Sequence, residues 1–275
     1  MEELVQKEVQ AIPKIVFENI NKVFHTRKQT IVAVKDYDMQ VDQGDFVSII
    51  GPSGCGKSTL IRMLNGIIQP TSGRMLLDGI PLDTSKPYSQ ETLRKMGFIF
   101  QQPNMLPWYT IRQNITLPLK IFGLDTPEYQ DYADELISIT GLQKFADAYP
   151  IESSGGALQR AGVVRAMVHK PEILLMDEPF GALDEMLREQ LNMELLSIWK
   201  RLNITIIFIT HNVEEAVLLS NSIYVMATEP GRLVEKVDID LPRPRSLEMI
   251  TQPRFVSYTQ RLVDLIGSVE LRQIK

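Results

Sequence analysis

Residues 15–24 (IVFENINKVF) and 32–41 (VAVKDYDMQV) partly alternate apolar and polar positions. That pattern predicts half-exposed strands. In GRMLLDGIPL (73–82) an Asp-Gly turn signal separates two short strand-like pieces. Together these stretches predict an antiparallel sheet near the start of the chain. Three other runs, FVSII (46–50), ILLM (173–176) and ITIIFI (204–209), are almost continuously apolar. Strands of a parallel sheet, buried on both faces, have this character. Helical spacing follows: Leu60, Ile61, Leu64, Ile67 and Ile68 after the first run, and Leu183, Leu187, Leu191, Leu195 and Leu196 after the second. The expected core is an α/β sheet with helices on both faces.

The stretch from about 90 to 165 differs. It carries helix-type patterns such as DYADELISIT and ALQRAGVVRAMV, and no convincing strand after GFIF (97–100). It reads as a helical insertion in the α/β core, with a turn and helix start at GLDTPEY (123–129). Past residue 212, NSIYVMATEPGRLVEKVDIDL predicts a hairpin around Pro230-Gly231, and EMITQPRFVSYTQRLVDLIGSVEL a closing helix. No long linker, internal repeat or low-complexity segment interrupts the chain.

Composition narrows the function classes. The chain has 275 residues, is 44% hydrophobic and carries a net charge of −5. That is ample apolar material for a core, and bulk charge exerts no pull toward nucleic acid or anionic lipid. The short basic cluster RPR (243–245) reads as a solvated loop. The single cysteine, Cys55, excludes an internal disulfide and fits a reducing compartment. Cys55 lies among glycines with no His or Cys at metal-ligand spacing, so it reads as a tolerated small residue rather than a nucleophile. The start, MEELVQKEVQ, is polar and acidic, unlike a signal peptide. The longest apolar runs are far shorter than the ~20 residues that span a bilayer. The expectation is a soluble chain.

The chemistry begins at IIGPSGCGKSTL (49–60), where a strand-like run stops at a glycine and a helical pattern follows. Residues 51–58 satisfy G-x-x-x-x-G-K-[ST] in that context. Glycines let successive backbone N–H groups curl around a phosphate, and the next helix aims its positive end there. Lys57 is placed to reach β- and γ-phosphates, and the Ser58 hydroxyl to ligate Mg²⁺. A second site follows ILLM: Asp177 at the strand tip suits a Mg²⁺ shell, and Glu178 suits orienting or deprotonating water. The third apolar run ends in FITH, which sets His211 at the same sheet edge as a γ-phosphate contact. His25 and His169 have no such setting.

In this order the motifs resemble the ABC transporter ATPase family over about residues 15–240. GPSGCGKST (Gly51, Pro52, Ser53, Gly54, Cys55, Gly56, Lys57, Ser58, Thr59) resembles the Walker A loop, and FQQP (100–103) the Q-loop, with Gln101 as a metal and water contact. SSGGALQR (153–160) sits where the signature LSGGQ belongs, LLMDEP resembles Walker B, and GALD (181–184) resembles the D-loop with Asp184. His211 resembles the switch histidine, and Phe24 is placed like the aromatic that stacks on adenine. Ser153 replaces the usual Leu and Ala157 the usual Gln, while Ser154, Gly155 and Gly156 remain for phosphate contacts.

The resemblance implies a P-loop ABC-ATPase fold: an α/β domain at 15–245, with parts at 15–91 and 166–245 around a helical subdomain at about 92–165. Residues 246–275 form a C-terminal helical extension. It implies ATP and Mg²⁺ as ligands, and a dimer in which one chain's Walker A and the other's signature share each ATP. The two departures leave a heterodimer with one weaker site open. NMLPWYTIRQNITLPL and DIDLPRPR narrow the resemblance to ATPases of nitrate, sulfonate and taurine type importers, whose relatives handle bicarbonate and similar small solutes. Such a subunit is peripheral on the cytoplasmic face of the inner membrane, bound to permease subunits and linked indirectly to a solute receptor. A cleft near 101–115 with Trp108 and Tyr109 is the candidate dock; a buried Trp108 is the alternative. The competing function is a non-transport ABC ATPase.

Overall fold

The computed structural model describes residues 12–181 and 183–271; the polar start read above lies outside them. Strands β1 (Ile15–His25) and β2 (Thr30–Val41) pair antiparallel. β3 (Phe46–Ile50) leads through the glycine-rich loop into α1 (Lys57–Leu64). β4 (Ser72–Leu77) and β5 (Ile80–Pro81) turn at Asp78-Gly79, as the Asp-Gly signal predicts, and complete a four-stranded sheet in the order β2-β1-β4-β5.

After α2 (Gln90–Arg94) and β6 (Met96–Ile99) come α3 (Ile111–Ile121), α4 (Pro127–Ile139) and α5 (Gly155–Met167). Local signals account for their starts. Thr110 and Gln113 form a capping box on α3, and Pro127 opens α4 at a position where its missing N–H costs nothing. No strand intervenes before β7 (Ile173–Asp177). Then follow α6 (Glu185–Leu202), β8 (Thr205–Ile209), α7 (Val213–Leu219), β9 (Ser222–Ala227), β10 (Arg232–Asp238) and α8 (Pro253–Leu271).

The six-stranded sheet has the order β10-β9-β3-β8-β7-β6. All neighbours are parallel except the β9–β10 hairpin. Its apolar runs face the two sides of the sheet by strict alternation. Ile206 and Phe208 join α3–α6 on one face; Ile207 and Ile209 join α1 and the antiparallel sheet on the other. Among the described residues no helix is long and apolar enough to cross a membrane.

Three sequence expectations need correction. The helix after β3 stops at Leu64 instead of continuing to Ile68. Gly66 adopts φ +75°, and the Ile67 and Ile68 amides both turn back to the Arg62 carbonyl, so a left-handed glycine ends the helix despite continued apolar spacing. Leu183 lies before α6, because Asp184 caps that helix. RPR is no solvated loop: Arg245 is buried and Arg243 half-buried. Trp108 is 66% exposed, which removes the alternative of a core tryptophan.

Candidate functional site

The parallel register sets the site. Ile49 and Asp177 both pair with Ile209, so β3, β7 and β8 end level with one another. The Glu178 amide donates to the Ile209 carbonyl at 3.0 Å, locking the Walker B-like turn to the strand that carries His211. Glu178 itself takes φ +46°, a sparsely populated conformation for a non-glycine residue, held by the turn around it.

The loop from Gly51 to Gly56 wraps the Lys57 amine. Lys57 Nζ donates to the carbonyls of Gly51 at 2.8 Å and Pro52 at 3.0 Å, and its side chain is buried. Gly51 is required on space: a Cβ there would lie 2.5 Å from the Met226 carbonyl oxygen of β9. Gly56 precedes α1 with no side-chain cap, so the first-turn amides keep their positive end toward the loop. Burial pushes the Cys55 thiol pKa up, the opposite of what a nucleophile needs. Pro52, Ser53, Gly54 and Thr59 complete the wrap and the first turn.

Ser58 Oγ donates to Asp177 Oδ1 at 2.6 Å, across the gap between α1 and the tip of β7. Arg62, one turn later on the same face, donates from Nη2 to Asp177 Oδ2 at 3.1 Å. Asp177 is buried, and this guanidinium supplies the countercharge that burial demands. Two hard oxygen donors, Ser58 Oγ and the Asp177 carboxylate, suit Mg²⁺, which takes one or two protein oxygens and completes its shell with phosphate and water.

Glu178 Oε2 accepts from Gln101 Nε2 at 3.4 Å and lies 3.4 Å from His211 Nδ1. One carboxylate oxygen therefore faces both the loop after β6 and the end of β8. Behind His211, the Thr210 hydroxyl donates to the carboxylate of buried Glu215, whose pKa burial raises. Asn212 caps α7 by accepting from the Glu215 amide at 3.0 Å.

The remaining expected residues lie elsewhere. Ser154 caps α5 by accepting from the Ala157 amide at 3.3 Å; Gly155 is open, and Gly156 packs against Leu187. Ala157 is fully buried, so this departure from the signature pattern is a packed position. Asp184 caps α6, accepting from the Leu187 amide at 3.0 Å. Among the described residues no hydrogen bond or ion pair joins 153–156 to 51–59. Phe24, half-buried on β1, pairs with Ile31, and Lys22 Nζ lies 4.8 Å from its ring centre. The same β2 strand meets the loop two residues on, where the Ala33 carbonyl crowds Gly56.

Sequence reasoning missed Arg62 and Gln159, whose amide donates to the Pro179 carbonyl beside Glu178. Arg62 had a usable signal, its i+4 spacing from Ser58. Gln159 had none beyond lying on the predicted helix.

A family model described as ABC transporter matches residues 34–181. The chain is 38% identical over 262 residues to an uncharacterized ABC transporter ATP-binding protein of Methanocaldococcus jannaschii, covering 95% of this chain and 94% of the relative. It is 37% identical to the nitrate import ATP-binding protein NrtD of Synechocystis sp., with 93% and 96% covered. Identity is 39% to the aliphatic sulfonates import ATP-binding protein SsuB of Bacillus cereus, with 83% and 87% covered. Among solved structures, a dimeric ATP-binding cassette in a post-hydrolysis state with ADP and Pi superposes with a TM-score of 0.74 at 29% identity, covering 83% of this chain and all of that one.

Proposed function

The chain belongs to the ABC transporter family as an ATP-hydrolysing cassette of the importer type, and from that premise we propose that it powers uptake of a small solute of the nitrate, sulfonate, taurine or bicarbonate kind. The observation that carries the catalytic assignment is the level ending of β3, β7 and β8, with Lys57, the Ser58–Asp177 pair, Glu178 and His211 along one edge. In this reading residues 15–245 are the ATPase domain, with a helical subdomain at about 92–165, and 246–275 are an extension.

Lys57 exchanges the loop carbonyls for the β- and γ-phosphates of ATP, and the α1 amides add their positive end. Ser58 and Asp177 would hold Mg²⁺, which when bound neutralises phosphate charge. Glu178 orients the attacking water, with Gln101 and His211 fixing its Oε2. His211 then faces the γ-phosphate, and Phe24 stacks on the adenine. Catalysis is mostly positioning and charge stabilisation.

The absence of any bond between 153–156 and 51–59 within the described residues supports completion of the site by a second chain. Its Ser154–Gly156 and Asp184 would meet the γ-phosphate held here. Loss of that phosphate on hydrolysis removes the bridge and lets the two chains part. The exposed Trp108 and neighbouring Tyr109 support a permease dock beside the Q-loop, at the cytoplasmic face of the inner membrane. The departures Ser153 and Ala157 favour a second reading, in which the partner is a different cassette and this chain's signature serves the weaker site.

The test is Glu178→Gln. It retains ATP binding, lowers hydrolysis by about a hundredfold or more, and accumulates an ATP-bound dimer on size exclusion. Hydrolysis near the wild-type rate would remove Glu178 from its role. Assaying the chain alone and with candidate partner cassettes separates the two readings.

A further inference from the structure

A cleft of about 230 Å³ opens between α6 and the segment that leads from β10 toward α8. Met193, Leu196, Trp199 and Lys200 line it from α6, and Arg243 and Arg245 from the segment; no acidic side chain does. It lies apart from the nucleotide site, and the ATPase reading gives it no task.

The two guanidiniums are held differently. Arg245 is fully engaged at its ends: Nη1 donates to the carbonyls of Val217, Leu218 and Ser220, and Nη2 to those of Ile239 and Leu241. Its Nε is shielded from solvent and has no partner. Arg243 stacks with its guanidinium carbon 4.2 Å from the Trp199 ring centre. Its protein acceptors, the Leu219 carbonyl at 2.8 Å and Asn221 Oδ1 at 3.2 Å, are both taken by Nη2. Nη1 and Nε are thus without a protein partner among the described residues.

No carboxylate among the described residues forms an ion pair with either group; Asp45 acts on Arg243 only through space. Burial and mutual repulsion lower the pKa of Arg245 to about 9, and burial lowers that of Arg243 to about 10. Shielded positive charge without a directly paired carboxylate is costly, and an anion relieves it. The unspent Nη1 and Nε N–H groups of Arg243 are charge-assisted donors from which an oxyanion accepts singly. The Met193, Leu196 and Trp199 wall offers nothing to a fully hydrated ion but accommodates an apolar body.

We propose that this cleft binds a small organic anion, its oxyanion group between Arg243 and Lys200 and its apolar part against Met193, Leu196 and Trp199. Such a ligand ties α6 to the segment before the C-terminal helix, so its occupancy stabilises the folded chain.

The experiment uses the full chain saturated with ADP, so that the phosphate loop is filled. A Trp108→Phe background makes Trp199 the sole indole. Phenyl phosphate is the probe, with inorganic phosphate and benzyl alcohol as controls. Phenyl phosphate shifts Trp199 emission saturably and raises the melting temperature. Inorganic phosphate binds about tenfold more weakly for want of the apolar contact, and benzyl alcohol gives no response. Arg243→Gln weakens phenyl phosphate about tenfold. Lys200→Gln, at an exposed position that leaves folding intact, weakens it about threefold and carries the test should Arg243→Gln not fold. Absence of a saturable response in the wild-type chain, equal response to benzyl alcohol, or unchanged affinity in Lys200→Gln overturns the proposal. The readout involves no hydrolysis, so such a failure leaves the ATPase reading standing.

Discussion

Arg62 and Asp177 lie 115 positions apart in sequence, yet one guanidinium nitrogen and one carboxylate oxygen meet at 3.1 Å. The contact holds Oδ2 while Ser58 engages Oδ1, so the carboxylate presents a fixed edge to the nucleotide side. Arg62→Gln keeps a donor but loses the charge. It is expected to weaken apparent Mg²⁺ affinity about tenfold, with metal-free ATP binding by calorimetry unchanged. A second residue, His169, makes a pH prediction. It is buried against Phe122, its Nε2 donates to the Met96 carbonyl at 3.4 Å, and its Nδ1 has no partner. Desolvation lowers its pKa from the ordinary 6.5 to about 4. A folded pKa below the unfolded one favours the neutral ring, so its contribution is present above pH 6.5 and is lost as pH falls toward 4. Melting temperatures should therefore drop more steeply across that interval in wild type than in His169→Gln, by an amount corresponding to ~3 kcal/mol at most.

Elements are joined by a few polar hubs. α7 ends at Leu219 without a basic residue in its last turn, and its final carbonyls would be orphaned. Arg245 collects those of Val217 and Leu218, then Ser220, and joins them to Ile239 and Leu241 beyond β10. Arg245→Met fills similar volume but strands these acceptors. The urea midpoint should fall by the equivalent of about 2–4 kcal/mol, with the slope unchanged. RPR was legible in the sequence only as charge among prolines. Nothing local says that three carbonyls from the end of α7 converge on it. By contrast the start of α4 and the β4–β5 turn were legible, because N1 proline and Asp-Gly turn each act within four residues.

At the scale of the whole molecule, the described chain leaves large apolar side chains in water beside the loops expected to face a partner. Ile151, two residues before Ser153, is 94% exposed, and Met186, two residues after Asp184, is 82% exposed. Isolated apolar side chains at a surface are ordinary, but two flanking the same pair of capped helices fit a transient interface. Ile151→Asp is expected to leave monomer stability and ATP binding within experimental error of wild type. In a Glu178→Gln background it should abolish the ATP-dependent dimer on size exclusion; persistence of that dimer would place the interface elsewhere.

The apolar runs, the glycine spacing of 51–56 and the acids that follow ILLM were enough to specify a parallel core, a glycine-rich loop between strand and helix, and a carboxylate pair. Each of these is a local rule, satisfied within one strand or one turn. Tertiary structure decided what depends on register and burial. Lys57, Asp177, Glu178 and His211 share an edge because β3, β7 and β8 end level. Asp177 has a countercharge beside it in a buried site because Arg62 arrives from α1. Arg243 and Arg245 leave water because α6 and α7 pack over them. The environment of a charged group is set by elements distant along the chain, and a linear pattern does not carry that distance.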